Sequence, residues 1–223
     1  MNVFDTFLNG RVFMQTLPLL LSGLSTTILL GLVSIILGLA FGLGLALARL
    51  YGTRLLRFVA VAYIDVFRAI PLLVLLIVVY YALPFVGIRL SPFTAAATSL
   101  SLVAGAYSAE IFRAGIQAVP KGQFEAARAL GLRPVPMMIR VVLPQAVRIV
   151  IPPITSNSIN VLKDTALASV VAMPDLLKQA TQAQALAANP TPLITAAGIY
   201  LLMLLPLVRL VGLLEARWAA QRR

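Results

Sequence analysis

The chain has 223 residues, of which 61% are hydrophobic and 11% charged, with a formal net charge of +11 and a mean hydropathy of +0.98. A soluble domain is roughly half apolar and about a quarter charged, so this balance describes a chain whose solvent is largely a bilayer. The absence of cysteine and histidine excludes a disulfide framework, a thiolate nucleophile, Cys/His zinc sites, a haem axial histidine, and Ser-His-Asp or Cys-His catalysis.

A membrane-spanning helix needs about 20 mainly apolar residues. The charge-free stretch from Val12 to Ala48 is too long for the apolar core of a signal peptide and predicts a retained first span over about 20–48, after an extracytoplasmic segment 1–17. Gly31, Gly38, Gly42 and Gly44 stud it, as expected where helix backbones approach closely in lipid. A second span over about 58–86 starts in Leu55–Phe67, which carries only Arg57 and Asp65, and continues through uncharged Ala69–Ile88. A third covers about 91–112. The fourth, about 142–170, is interrupted in its apolar part only by Lys163 and Asp164, and Pro144, Pro152 and Pro153 should kink or delay it. The fifth, about 191–214, is broken only by Arg209, and a basic tail 218–223 follows. The predicted fold class is therefore all-α and polytopic, with five transmembrane helices and one membrane domain over 18–217.

With five spans, one side of the membrane holds Arg11, Arg89 and Lys178, while every other Lys and Arg except Lys163 lies on the opposite side. The positive-inside rule then places the N-terminus outside and the C-terminus in the cytoplasm. The net charge is explained by topology and anionic headgroups, so no nucleic-acid partner is expected. Tyr80, Tyr81, Tyr200 and Trp218 read as interfacial aromatics.

The loop over about 114–140 contains a short helix framed by breakers. Pro120 and Gly122 precede it, Gln123–Leu130 can form about two turns, Gly131 suits a left-handed C′ position, and Pro134 and Pro136 follow. So short a helix is unstable alone in water and must dock. Phe124, Ala127 and Leu130 or Leu132 offer an apolar side. Glu125 and Arg128 stand at i, i+3, as a surface ion pair would.

In the fourth span, Ser156, Asn157, Asn160, Lys163, Asp164 and Thr165 are polar, and Asn157, Asn160 and Asp164 share one helix face. Charges at membrane depth cost about 2.5–3.5 kcal/mol each on the insertion scale, so they should face protein or water. Asn157, Asn160, Lys163, Asp164 and Thr165 are candidate substrate-binding residues, with helix packing or an interfacial position as the alternative for Lys163 and Asp164. Asp65 with Arg68, and Glu110 with Arg113, have the spacing of structural ion pairs.

Several motifs taken together resemble a known family. These are Gly23-Leu24-Ser25-Thr26-Thr27, Phe67-Arg68-Ala69-Ile70-Pro71, the run from Ala109 to Ile116, Pro120-Lys121-Gly122-Gln123, Glu125-Ala126-Ala127 with Gly131 six residues after Glu125, Leu143-Pro144-Gln145-Ala146, and Leu162 to Leu167. Their order resembles the permease subunits of bacterial ATP-binding-cassette importers, in the polar amino acid branch. The resemblance implies the type I importer transmembrane fold and a multi-pass location in the bacterial inner membrane. It also implies that the loop is the coupling helix, with Gly122, Gln123, Glu125, Ala126, Ala127, Arg128 and Gly131 at the interface with an ATPase subunit. No G-x-x-x-x-G-K-[S/T] phosphate loop occurs in the chain. The implied protein is thus non-catalytic and binds no cofactor or metal itself, with ATP and Mg residing in the partner ATPase.

Implied partners are a second permease chain (the same or different), two ATPase subunits, an extracytoplasmic binding protein, the bilayer and a small polar substrate such as an amino acid. An ion-coupled secondary transporter would be expected to show inverted repeats. An intramembrane enzyme would need clustered acids or metal ligands. The seven Asp and Glu are scattered and no internal repeat is visible.

Overall fold

The computed structural model describes residues 6–220, with side chains of the last helix as far as Leu213. The expectations placed on Arg217, Trp218, Arg222 and Arg223 lie outside the described side chains. Among the described residues the chain is helical, with no strand. The helices are α1 (Gly10–Tyr51), α2 (Arg54–Ala69), α3 (Leu72–Ile77), α4 (Pro92–Gln117), α5 (Lys121–Ala129), α6 (Pro134–Met137), α7 (Leu143–Asp164), α8 (Leu176–Ala187) and α9 (Thr191–Ala220).

Among the described residues, four stretches are long and apolar enough to cross a membrane: Gly10–Tyr51, Pro92–Gln117, Pro134–Val171 and Thr191–Leu213. α2 with Leu72–Val86 makes a fifth if the pair is counted as one span. The second span is therefore not the continuous helix over 58–86 that its composition suggests. It breaks at Ile70–Pro71, where Pro71 takes φ −61° and ψ 129°. The proline ring disfavours helical backbone at the residue before it and offers no N–H.

Other prolines are absorbed. A π turn over Val78–Ala82 stands just ahead of Pro84, and a second over Met138–Val142 stands just ahead of Pro144. In each case the wide turn contains the residue four before the proline, whose carbonyl the ring would strike in a regular α-helix. Pro152 and Pro153 lie inside an uninterrupted α7, so they do not delay that helix, one of the two effects expected of them.

The chain divides into two compact units. Among the described residues the first comprises 6–36, 70–101 and 159–209. One of its clusters joins Leu30 of α1, Leu76 of α3, Ala96 and Leu100 of α4, and Ala168, Val171 and Met173 after α7. Another joins Leu20 of α1 to Leu176, Ala180 and Ala183 of α8 and Ala196 of α9. The positions 176, 180 and 183 recur at helical spacing, so α8 buries one stripe.

Asp175 caps α8, accepting from the backbone N–H groups of Lys178 at 3.0 Å and Leu177 at 3.4 Å. It is completely buried, and that burial pushes its carboxyl up to about 6 against the opposing pull of these hydrogen bonds. The Leu176 N–H donates to Thr27 Oγ1 at 3.0 Å, tying the start of α8 to α1. Tyr200 packs in the same cluster, its hydroxyl buried beside Thr27 and Thr165. Tyr80 packs against the first cluster, whereas Tyr81 is exposed and donates to the Val170 carbonyl at 3.0 Å.

Among the described residues the second unit comprises 37–69, 102–158 and 210–220. Lipid supplies no hydrophobic drive between helices, so close backbone contact through small residues has to do the packing. A Cβ on Gly42 would lie 2.7 Å from both the Gly105 carbonyl oxygen and Ser108 Cβ, and one on Gly38 would lie 2.7 Å from Ala104 Cβ. Gly44 has open space beside it and takes no part in this contact. Phe41, Tyr63 and Phe67 stack in series at centroid distances of 5.1 and 4.3 Å. The Tyr63 hydroxyl donates to the Leu102 carbonyl at 2.9 Å, joining α2 to α4. A third cluster holds Ile116, Val119, Ala127, Met137, Val142 and Ala146.

Candidate functional site: the docked loop helix and the polar residues of α7

α5 starts one residue after Pro120, whose φ of −55° and ψ of 135° end the preceding chain direction. It is longer at its N-terminal end than the sequence suggests, beginning at Lys121. Its C-terminus is a Schellman turn. Gly131 adopts φ +75°, the Leu132 N–H donates to the Ala127 carbonyl at 3.1 Å, and the Gly131 N–H donates to the Arg128 carbonyl at 2.9 Å. A Cβ at Gly131 would meet no neighbour, so the glycine is needed there for its backbone conformation and not for space.

Ala127 is buried and Phe124 packs partly buried against the same cluster, together with Leu132 and Leu50. Gln145 Nε2 donates to Gln123 Oε1 at 3.2 Å, a polar tie from α7 to the loop helix. Gly122, Glu125, Ala126, Arg128 and Gly131 are exposed. The helix thus has two sides, one held by its own chain and one bare.

Ala127 lies on the held side, and Leu130 is 82% exposed on the helix end rather than packed as an apolar anchor. Val135 and Ile139 are also exposed, at 66% and 59%. This apolar group at the foot of the loop was not found from sequence, because Leu130 shares the helical spacing of the packed residues. Glu125 and Arg128 make no ion pair among the described residues.

The polar residues of α7 have different environments. Asn157 Nδ2 donates to Ser108 Oγ at 3.2 Å, a contact to α4 in the second unit. In the first unit Asn160 and Lys163 are exposed and Asp164 is half-buried. Thr165 is completely buried and donates to the Leu162 carbonyl at 2.7 Å. Its hydroxyl is engaged inside the protein, by the Leu162 carbonyl and beside Tyr200. Lys163 and Asp164 do not pair with each other among the described residues. The helix tightens into a 3-10 turn over Thr165–Val171 directly after Asp164, which changes the face on which the following side chains emerge.

Glu110 and Arg113 are joined through Arg113 Nη2 to Glu110 Oε2 at 2.7 Å and Nε at 3.2 Å. Arg49 of α1 adds its own ion pair to Glu110 Oε1. That third member is 61 residues away in sequence, and no local spacing announces it. Asp65 and Arg68 are not paired among the described residues. Arg68 instead lies over the Tyr107 ring, 5.4 Å from its centroid, a cation–π arrangement. Among the described residues no group of three or more acids comes together in a way that could hold a metal ion.

A family profile described as the inner membrane component of binding-protein-dependent transport systems matches residues 38–220. The chain belongs to this family. It is a permease of the ATP-binding-cassette transporter class and a multi-pass protein of the bacterial inner membrane.

Its similarity to curated relatives is extensive. It is 41% identical over 165 residues to the L-cystine transport system permease protein TcyB of Bacillus subtilis (strain 168), covering 74% of this chain and 70% of that one. It is 40% identical over 191 residues to the arginine transport system permease protein ArtQ of the same organism, covering 85% of this chain and 87% of that one. Among solved structures, one described as an amino acid ABC transporter with histidines aligns with a TM-score of 0.89 at 37% identity. It covers 97% of this chain and all of that one. The fold is that of a type I importer permease.

Proposed function

We propose that this permease is the non-catalytic, membrane-spanning subunit of an ATP-driven importer for a polar amino acid or similar small zwitterion. Its N-terminus would lie outside and its C-terminus in the cytoplasm, an orientation that the distribution of basic residues supports. Two permease chains would work with two ATPase subunits and an extracytoplasmic binding protein. ATP and Mg would be bound by the ATPase subunits alone.

The observation that carries the coupling role is the two-sided α5. Phe124 and Ala127 hold it to its own chain, while Glu125, Ala126, Arg128 and Leu130 present an unoccupied outer side. A helix fixed in this way transmits force from a partner to α7 without melting, because its Schellman end and its packed side resist separation. ATP-driven closure of the ATPase pair would then move α5 and, through it, the membrane helices between outward- and inward-facing states.

Asn160, Lys163 and Asp164 are the accessible polar groups for a zwitterion, the ammonium meeting Asp164 and the carboxylate meeting Lys163. The relatives named for arginine and cystine support an amino acid as the substrate class. The test is co-purification with an ATPase subunit and ATPase activity stimulated by loaded binding protein in proteoliposomes. Glu125→Lys, on the bare side, should reduce that association while the permease alone stays folded. Asp164→Asn should lower uptake more than ATPase activity. Uptake by the permease alone under an ion gradient would overturn the proposal.

A further inference from the structure

The second unit contains a pocket of about 320 Å³ lined by Arg49, Leu50, Arg57, Arg113 and Gln117. Its wall comes from the last turn of α1, the first turn of α2 and the end of α4. Three guanidinium groups converge there, and Glu110 is their only acidic partner among the described residues. Glu110 is not on the wall, and both its oxygens are engaged, Oε1 by Arg49 and Oε2 by Arg113. Arg57 is exposed and makes no ion pair among the described residues. One carboxylate against three guanidiniums leaves a concave surface with an excess of two positive charges, to which Arg68, near enough to act on Glu110, adds.

Arg113 also donates through Nη1 to Gln117 Oε1 on the wall, so Arg57 is the guanidinium whose N–H donors are all unengaged among the described residues, and a guanidinium of this kind beside two held ones matches the oxygens of a phosphate. The surroundings say which phosphate. On the helix that carries Arg57, Leu55 is 73% exposed, Phe58 70% and Val59 54%, next to exposed Arg54. Bare apolar side chains interleaved with arginine suit a helix at the headgroup boundary, with acyl chains against the apolar residues and charge against the headgroup. We propose that this pocket binds the phosphodiester headgroup of an anionic phospholipid, drawn from the cytoplasmic leaflet. The choice of leaflet, but not the binding, rests on the orientation proposed above.

The experiment titrates dioleoylphosphatidylglycerol or dioleoylphosphatidylcholine into the solubilised permease and reads retained lipid by native mass spectrometry together with the thermal midpoint. Phosphatidylglycerol should be retained and should raise the midpoint, and phosphatidylcholine should do neither. Arg57→Gln, which breaks no ion pair, should weaken phosphatidylglycerol retention by about five- to tenfold, and Arg57→Lys should restore part of it. Inorganic phosphate at millimolar concentration serves as the second arm. Equal stabilisation by phosphate, abolished in Arg57→Gln, would make this a soluble-anion site and overturn the lipid assignment.

Unchanged phosphatidylglycerol retention in Arg57→Gln would also overturn it, including the case in which that variant loses only its ATPase subunit and so marks the pocket as a protein contact. The retention measurement is made in detergent and is blind to orientation. Orientation is tested apart, by maleimide labelling of Lys121→Cys in a chain that has no cysteine of its own. A label reaching Lys121→Cys only from the cytoplasmic side supports the leaflet choice, and a label from outside overturns that choice alone.

Discussion

The two sides of α5 can be separated by paired leucine substitutions. Ala127 is 3% exposed, inside a cluster formed by Ile116, Val119, Met137, Val142 and Ala146. Ala127→Leu forces extra methylene groups into that filled space, at a cost of about 1–3 kcal/mol. A helix of 9 residues has little stability of its own, so a cost of this size falls on the docking itself. It should raise the undocked population by about five- to a hundredfold. Ala126 is exposed, and Ala126→Leu should change the permease alone by less than about 0.5 kcal/mol.

Hydrogen exchange of residues 123–131 in the isolated permease checks the first expectation. Exchange should accelerate in Ala127→Leu and stay within about twofold of the unsubstituted protein in Ala126→Leu. ATPase activity of the reconstituted complex checks the second, since both variants should lose stimulation, Ala126→Leu by obstructing the partner's surface. The two-sided assignment is refuted if Ala126→Leu accelerates exchange as much as Ala127→Leu. It is also refuted if Ala127→Leu leaves exchange unchanged.

Gly42→Leu should prevent normal packing of α1 on α4, because its first side-chain carbon already lies 2.7 Å from the Gly105 carbonyl. Gly44→Ala, in open space, should be neutral or stabilising by up to about 1 kcal/mol, and monodispersity and thermal midpoint compare the two. Gly131→Ala should destabilise the α5 terminus by about 1–2 kcal/mol through its left-handed backbone, and Gly131→Asn by less, as read by exchange at Leu132. Asp175 has its carboxyl raised from 3.8 to about 6 in the folded chain. The folded state therefore holds the proton more tightly than the unfolded state, so stability rises as pH falls through about 6 and the gain is complete below the unfolded value. Between pH 4 and 7 the difference amounts to at most about 3 kcal/mol. It should vanish in Asp175→Asn, which keeps a capping side chain, and parallel pH-dependent unfolding curves for the two proteins would refute it.

What could be read from residues alone depended on the range of the interaction. The loop helix and its glycine end were legible because proline, glycine and a short apolar period act over a few residues. The pair Glu110–Arg113 was legible for the same reason, at one helical turn. Arg49 was not, since its approach to Glu110 depends on how α1 packs against α4. Asp65–Arg68 had the right spacing but Arg68 found an aromatic face instead, a choice that only the position of Tyr107 decides. The prolines divided differently. Pro71 breaks a span that composition alone suggests is continuous over 58–86, whereas Pro152 and Pro153, expected to kink or delay α7, lie inside it without a break, because packing and neighbouring turns can hold a helix together through a missing hydrogen bond.

The same distinction applies to the polar residues of α7. Composition grouped Asn157, Asn160, Lys163, Asp164 and Thr165 because all five are costly in lipid. A polar side chain can meet that cost in two ways: by bonding to its own protein or by remaining open to water. Thr165 satisfies its hydroxyl on the Leu162 carbonyl and Asn157 donates to Ser108, so the protein itself accounts for their polarity. Asn160, Lys163 and Asp164 have no hydrogen bond or ion pair of this kind among the described residues, although Lys163 lies near enough to act on Asp164. A charge maintained without an internal partner in a low-dielectric setting needs water or a ligand near it. This is why uptake should be sensitive to Asp164→Asn and comparatively indifferent to Thr165→Val. The second substitution removes a buried hydroxyl that bonds to the Leu162 carbonyl and lies beside Tyr200, and equal loss of uptake in both variants would show that these residues serve packing rather than transport.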